Sequence, residues 1–299
     1  MELTYRTATL RLAEPFTISR STSLEEHVVW VELTHGEAQG FGEAQPQEHY
    51  GESVEGATAF LDEARALLGD DPFALEAIGA RLGDLPGNTA AKAALDAALH
   101  DLCGKLVGQP VWRLLGLAPT GPPTSWTIWL GDPDDMARRA EPLSDRFRRL
   151  KLKLGGRDGL DVERVRAVRG VTALPLQVDV NEYWEPDEAL EHVHQLAGLG
   201  VEYVEQPLPA GDPGGVELKK HSTLPIYVDE DCHTLKDVHD CAERSHGINI
   251  KLAKSGGIRE AVRMAHAARA LGLGVMLGCM IESGLGIAAA CQVASLCDH

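Results

Sequence analysis

The sequence lacks any uninterrupted apolar run of the roughly 18 residues that a membrane-spanning helix needs, which excludes a helical span. Its first residues, MELTYRTATLRL, have no basic stretch followed by an apolar core, so secretion is not indicated. Basic charge is also scarce: 28 Lys and Arg stand against 45 Asp and Glu, a formal net charge of −17. That field repels nucleic acid and anionic lipid surfaces, so neither is expected as a partner. The six cysteines (Cys103, Cys232, Cys241, Cys279, Cys291 and Cys297) form no CxxC pair and no His/Cys cluster at zinc spacing. They read as free thiols in or near the core of a cytoplasmic protein, without a structural disulfide.

What is present divides in two. With 299 residues, 44% of them hydrophobic, the chain suits one large domain, or a barrel with a smaller domain added. In the first part, alternation in MELTYRTATLRL and HVVWVELT predicts two antiparallel strands, joined through the PFTISRSTS loop and followed by a turn into AQGFGEA. SVEGATAFLDEARALL, FALEAIGARLG and TAAKAALDAALHDLCGKLV have helical periodicity. Asn88 is set to cap the last of these, and Gly108 with Pro110 to end it. Asp62, Asp96, Asp101, His192, His194, His239 and His266 lie on helical segments and read as solvated or capping groups. The stretch APTGPPTS predicts a boundary near residue 120.

Beyond it, short β-branched runs recur at intervals of roughly 22 to 28 residues with amphipathic segments between them, the pattern of βα units in a parallel barrel. Strands are expected near 124–130, 148–153, 175–180, 201–205, 225–229, 247–251 and 273–279. In RFRRLKLKLGG, Lys151 and Lys153 share one strand face while Leu152 takes the other. Two crowded ammonium groups each disfavour the other's charge, so at least one should have a lowered pKa. A solvated edge strand is the plainer alternative. Against it, four later strands end in ionisable groups: LQVDVN at Asp179, VEYVEQP at Glu205, IYVDED at Asp229 and INIKLAK at Lys251. Strand C-termini of such barrels converge on one mouth. Three carboxylates gathered there call for a cation, and oxygen ligands with open positions favour Mg²⁺ over zinc.

The runs KLKLGG, VDVNEYW, VEQPLP, VDED, NIKLAKSGGI and CMIESGLG, together with FGEAQP and GNTAAKAALDAALHDL upstream, resemble the enolase superfamily in its muconate-lactonizing-enzyme subgroup, and within that the dipeptide epimerases. The use of a lysine base with Mg²⁺ is a recognised feature of that superfamily. The resemblance covers essentially the whole chain. It implies an N-terminal α+β capping domain over residues 1–118 and a (β/α)7β-type TIM-like barrel over 119–299. Seven barrel strands are visible, and the eighth, with its Asp-x-Asp motif, is absent from this sequence, as in a C-terminally truncated chain.

The resemblance also implies roles. Asp179, Glu205 and Asp229 align with the metal ligands, one Mg²⁺ per subunit with Mn²⁺ able to substitute. Lys153 and Lys251 align with two catalytic bases on opposite faces of the substrate. Lys151 neighbours Lys153, Asn181 and Glu230 flank metal ligands, and Lys254 and Glu282 support the site. Arg20 and Ser21 lie in a loop that shapes substrate choice, as does the loop of Glu48, His49 and Tyr50. The implied activity is inversion of the α-carbon of a dipeptide's second residue by two-base 1,1-proton transfer through a metal-stabilised enolate. The implied partner is a small-molecule dipeptide, with no nucleic acid or membrane and with room for a homo-oligomer. An N-acylamino acid racemase, an o-succinylbenzoate synthase or a cycloisomerase shares the lysine and metal pattern. TSWTI and CMIESGLG favour the epimerase. A non-catalytic binding protein on the same scaffold is the other class.

Overall fold

The computed structural model describes residues 1–299. Three strands, β1 (Glu2–Thr17), β2 (Thr22–His35) and β3 (Ala38–Ala44), form an antiparallel sheet in sequence order. The register pairs Leu3 with Leu33 and Tyr5 with Val31. The turn expected into AQGFGEA falls at Gly36 and Glu37, with Gly36 at φ +60°, and AQGFGEA itself forms the third strand. β1 also continues through Phe16 and Thr17 across an irregularity after Arg11, which leaves only residues 18–21 as the hairpin connection.

The helix Thr89–Val107 packs against this sheet. Asn88 caps it by accepting from the Ala91 amide at 2.8 Å, and Gly108 ends it at φ +66°. Close approach depends on small residues on both sides: a Cβ on Gly40 or Gly42 of β3 would run into the Ala98 or Ala94 carbonyl oxygen. Leu3, Val29, Val31 and Leu33 meet Ala90, Ala94, Leu95 and Leu99 in the core between them. Asp96 is buried rather than solvated and caps a different helix, accepting the Arg259 amide in the first turn of Ile258–Ala270 at 3.2 Å; Asp101 accepts the Phe41 amide at 2.9 Å. Both have been recruited to hold other segments against the helix.

Seven parallel strands follow: β4 (Trp126–Ile128), β5 (Leu150–Lys153), β6 (Leu176–Asp179), β7 (Val201–Glu205), β8 (Ile226–Val228), β9 (Gly247–Ile250) and β10 (Gly274–Leu277). They pair strictly in sequence order, as short βα units dictate, and curl into an open half-barrel clothed by helices such as Asp161–Val171, Pro186–Ala197 and Ile258–Ala270. β7 has the bounds expected, and the other six strands are each shorter by one residue or more. Asp298 and His299 lie along the free edge of β10, with the Asp298 amide donating to the Val275 carbonyl at 2.7 Å and the Leu277 amide to the His299 carbonyl at 2.9 Å. No helix is long and apolar enough to cross a membrane. All six cysteines are free, but Cys279 and Cys291 are exposed where core or near-core positions were expected.

Candidate active site

Register builds the site. Lys153 pairs with Asp179, and Asp179 with Glu205, so the last residues of β5, β6 and β7 stand side by side on one face and at one level. Asp229 and Lys251 come one residue beyond β8 and β9, where the chain has left the ladder but its direction still holds. All three carboxylates are wholly buried. Lys151, two residues back along β5, reaches the same space.

The charges meet directly. Lys153 Nζ donates to Asp179 Oδ2 at 2.6 Å and to Asn181 Oδ1 at 2.9 Å. Lys151 Nζ lies 2.9 Å from Asp179 Oδ2 and 2.6 Å from Glu205 Oε2. Its approach to Glu205 is at ion-pair distance but off the direction of a hydrogen bond, so Glu205 Oε2 has no donor. Lys251 Nζ donates to Asp229 Oδ2 at 2.6 Å, and Lys254 Nζ to Asp229 Oδ1 at 2.5 Å. The other Glu205 oxygen accepts from Asn249 Nδ2 at 2.7 Å.

The titration of the two neighbouring lysines diverges as their surroundings dictate. Burial lowers the pKa of Lys153, and Asp179 does not fully offset it, with the charge of Lys151 adding to the fall. Lys151 is buried as well, but Asp179 and Glu205 together outweigh burial and raise it. The lowered partner of the Lys-x-Lys pair is thus Lys153. Lys251 is raised, because Asp229 more than offsets its burial. Burial and then the Asp179 charge raise Glu205, whereas the lysines hold Asp179 and Asp229 below the usual carboxylate range in spite of burial.

No three acidic, His or Cys side chains are gathered closely enough here to enclose a metal ion. Ammonium groups bridge the carboxylates instead. The donor set nevertheless suits a hard divalent cation: three buried carboxylates, no sulfur or imidazole among them, and in Glu205 Oε2 a buried acceptor with no hydrogen bond.

The remaining expected residues fall around this centre. Asn181 joins Lys153 to Glu230, its Nδ2 lying 3.3 Å from Glu230 Oε1. Burial, then the charges of Asp229 and Asp179, push Glu230 up to about 7. Lys254 is not at the mouth; it is 1% exposed in the short helix Leu252–Ser255, wrapped by carbonyls as well as by Asp229. Glu282 follows β10 beside Glu43. Arg20 reaches the site, with Nη2 donating to Glu230 Oε1 at 2.9 Å. Ser21 does not: it is exposed at the hairpin tip, and the serine that touches the barrel is Ser19, through the Asn181 carbonyl at 3.0 Å.

Three contributors were not expected. Asn249 was legible, since it lies two residues before Lys251 in INIK and must share its face. Gln206, in the left-handed region at φ +34°, accepts the Asp229 amide at 2.8 Å and so fixes the end of β8. Glu182, also left-handed at φ +70°, holds Arg20 and His49, and no spacing foretells that.

Strand ends bearing lysines and carboxylates, under an antiparallel cap, define a barrel enzyme of the acid–base kind. Residues 1–116 match the family described as mandelate racemase / muconate lactonizing enzyme, N-terminal domain, and residues 135–299 the one described as enolase C-terminal domain-like. The chain belongs to the enolase superfamily, in its mandelate racemase and muconate-lactonizing-enzyme group. It is 38% identical over 302 residues to the L-Ala-D/L-Glu epimerase of Bacteroides thetaiotaomicron, covering 100% of this chain and 78% of that protein. It is 34% identical over 302 residues to a hydrophobic dipeptide epimerase of a Flavobacteria bacterium, covering 100% and 88%. The crystal structure of the dipeptide epimerase from Enterococcus faecalis V583, complexed with Mg and the dipeptide L-Leu-L-Tyr, superposes with a TM-score of 0.95 at 31% identity, covering 99% of this chain and 87% of that one.

Proposed function

We propose that this chain is a Mg²⁺-dependent dipeptide epimerase that inverts the α-carbon of the second residue by proton transfer between two lysines. The observation that carries the reading is the placing of Lys153 and Lys251 at the ends of β5 and β9, with the strands bearing Asp179, Glu205 and Asp229 between them. A proton beside a carboxylate is very weakly acidic, because its removal puts a second negative charge on a small group. Bound at Asp179, Glu205 and Asp229, one Mg²⁺ per subunit, replaceable by Mn²⁺, supplies the electrostatic stabilisation that a base alone cannot.

Lys153 takes the α-proton on one face and the ammonium of Lys251 returns one on the other; the reverse reaction exchanges their parts. Lys151 faces the substrate carboxylate, while Asn181 and Glu230 orient the groups beside them. Lys254 anchors Asp229, and Glu282 lines the mouth. Residues 1–118 act as the capping domain and 119–299 as the catalytic domain of a cytoplasmic enzyme whose partner is a small dipeptide. Relatives named for dipeptides and a Mg- and dipeptide-bound neighbour support the reading.

Incubating a dipeptide library with the protein and Mg²⁺ in D₂O, then reading mass gain and stereochemistry, tests it. Exchange with inversion, abolished by EDTA and restored by Mg²⁺, is expected. Exchange confined to N-acylamino acids would move the assignment to a racemase, and full activity in exhaustive chelator would remove the metal.

A further inference from the structure

The loop carrying Arg20 stands at the mouth, one side chain removed from the reaction centre. Lys153 binds Asn181, Asn181 reaches Glu230, and the same Glu230 oxygen accepts from Arg20. Ser19 fixes the loop on the Asn181 carbonyl. On the epimerase reading, with the α-carbon beside Lys153, a substrate side chain directed toward the cap would meet this loop. Arg20 would be the natural partner for an acidic side chain there, and relatives of this chain include one named for Glu and one named for hydrophobic dipeptides.

Arg20, however, is already engaged by three acceptors. Its Nη2 donates to Glu230 at 2.9 Å, and its Nη1 lies 3.4 Å from Glu182 Oε2 and 3.4 Å from the Asn181 carbonyl. Glu182 is no casual neighbour. It sits in the left-handed backbone region at φ +70°, which an L side chain adopts only when its surroundings over-determine it. Its amide donates to the Gln206 carbonyl at 2.9 Å, its Oε1 accepts the Ala210 amide at 2.9 Å, and His49 Nε2 lies 3.0 Å from its Oε2. Its side chain is 18% exposed and that of Glu230 2%. The other cations of the mouth, Lys151, Lys153 and Lys251, already lie against Asp179, Glu205 and Asp229.

We infer that Glu182 is a specificity-determining residue: with Glu230 it neutralises Arg20, so the dipeptide side chain that reaches the Arg20 loop carries no negative charge. An incoming carboxylate would become the third acid around one guanidinium, and like charges at such distances repel. A neutral or basic side chain meets no such opposition.

This rests on the epimerase reading, and the experiment keeps the two apart. L-Ala-L-Gln and L-Ala-L-Glu have side chains of nearly the same shape and differ in charge. Deuterium incorporation from D₂O with Mg²⁺ would be measured for both, with L-Ala-L-Leu and L-Ala-L-Lys alongside, for the wild type and for Glu182→Gln. At least a tenfold higher kcat/KM for L-Ala-L-Gln over L-Ala-L-Glu is expected in the wild type, with Glu182→Gln narrowing the ratio to threefold or less. A wild type that turns over L-Ala-L-Glu as well as L-Ala-L-Gln overturns the inference and leaves the epimerase standing. A ratio unchanged in the variant overturns the role of Glu182, and exchange of no dipeptide at all overturns both readings together.

Discussion

The two lysine pairs of the site lie on either side of the same carboxylates, yet a difference of one residue in spacing gives them opposite characters. Lys151 and Lys153, separated by one residue on a strand, point the same way, and both open onto the mouth. Lys251 and Lys254, separated by two, straddle the end of β9. Lys251 is still extended at φ −127° and ψ 125°, but the chain then turns into the helix Leu252–Ser255 and carries Lys254 beneath the mouth. There its ammonium meets the Asp229 carboxylate and the carbonyls of Asp229, Cys232 and Asn249. Lys151 makes two ion-pair contacts and no side-chain hydrogen bond of good geometry; Lys254 is saturated. In the proposed mechanism one pair therefore supplies two groups for chemistry, and the other supplies one group and its foundation.

The largest effect sharpens that comparison at Lys153 and Lys251, which should be equivalent in chemistry despite their unlike neighbours. Lys153→Ala and Lys251→Ala should each lose epimerisation on the order of a thousandfold, as the loss of a general acid or base implies. Each should still exchange the α-hydrogen of one epimer in D₂O without inversion, and the two variants should keep opposite epimers. Mass spectrometry on separated stereoisomers reads this directly. If both variants lost exchange from the same epimer, a one-base scheme would replace the two-base one.

Lys254 should break the symmetry in stability. Lys254→Met leaves a buried carboxylate oxygen and three carbonyls without their shared donor, at a cost of about 3–5 kcal/mol. Lys151→Met, at a site with fewer hydrogen bonds to lose, should cost clearly less stability while still impairing catalysis. Urea unfolding of the two variants beside the wild type measures the contrast. Equal losses would mean that Lys254 is no more a foundation than Lys151.

The same contrast marks how far the sequence could be read. Strand periodicity revealed the seven βα units, and alternation along LKLK put both lysines on one face. Each is a property of a short stretch, so each is visible in a short stretch. Lys254 lies past the end of its strand, in the helix Leu252–Ser255, and its burial depends on carbonyls from the β8 end, about which its own neighbourhood says nothing. The pairing of Arg20 with Glu230 joins residues 210 positions apart, and Glu182 was invisible because its importance comes from a left-handed backbone and from two cap loops folding over it. Asn249 could have been found by carrying the alternation one step back from Lys251.

The smallest effect separates the mouth from the cap seam at Glu282. Glu43 on β3 is well satisfied: it accepts from Trp30 Nε1 at 2.7 Å, from the Ser283 amide at 2.7 Å, and from the Ser283 hydroxyl. Glu282 next to it has no such set of donors. Burial, and then the charge of Glu43, push it from 4.5 up to about 7, against weaker pulls from the Met280 backbone and Lys251. Between those two values the folded protein holds a proton that the unfolded chain has released. Stability from this group is thus fully present below pH 4.5 and is lost as pH rises through 7. Glu282→Gln cannot release that proton. Its unfolding free energy should fall less between pH 5 and pH 8 than that of the wild type, by roughly 1–2 kcal/mol once partial exposure is discounted. Glu230, also raised, is present in both proteins and cancels in the difference. Parallel pH profiles for the two would show that Glu282 is ionised throughout, and that the seam between cap and barrel tolerates two neighbouring charges.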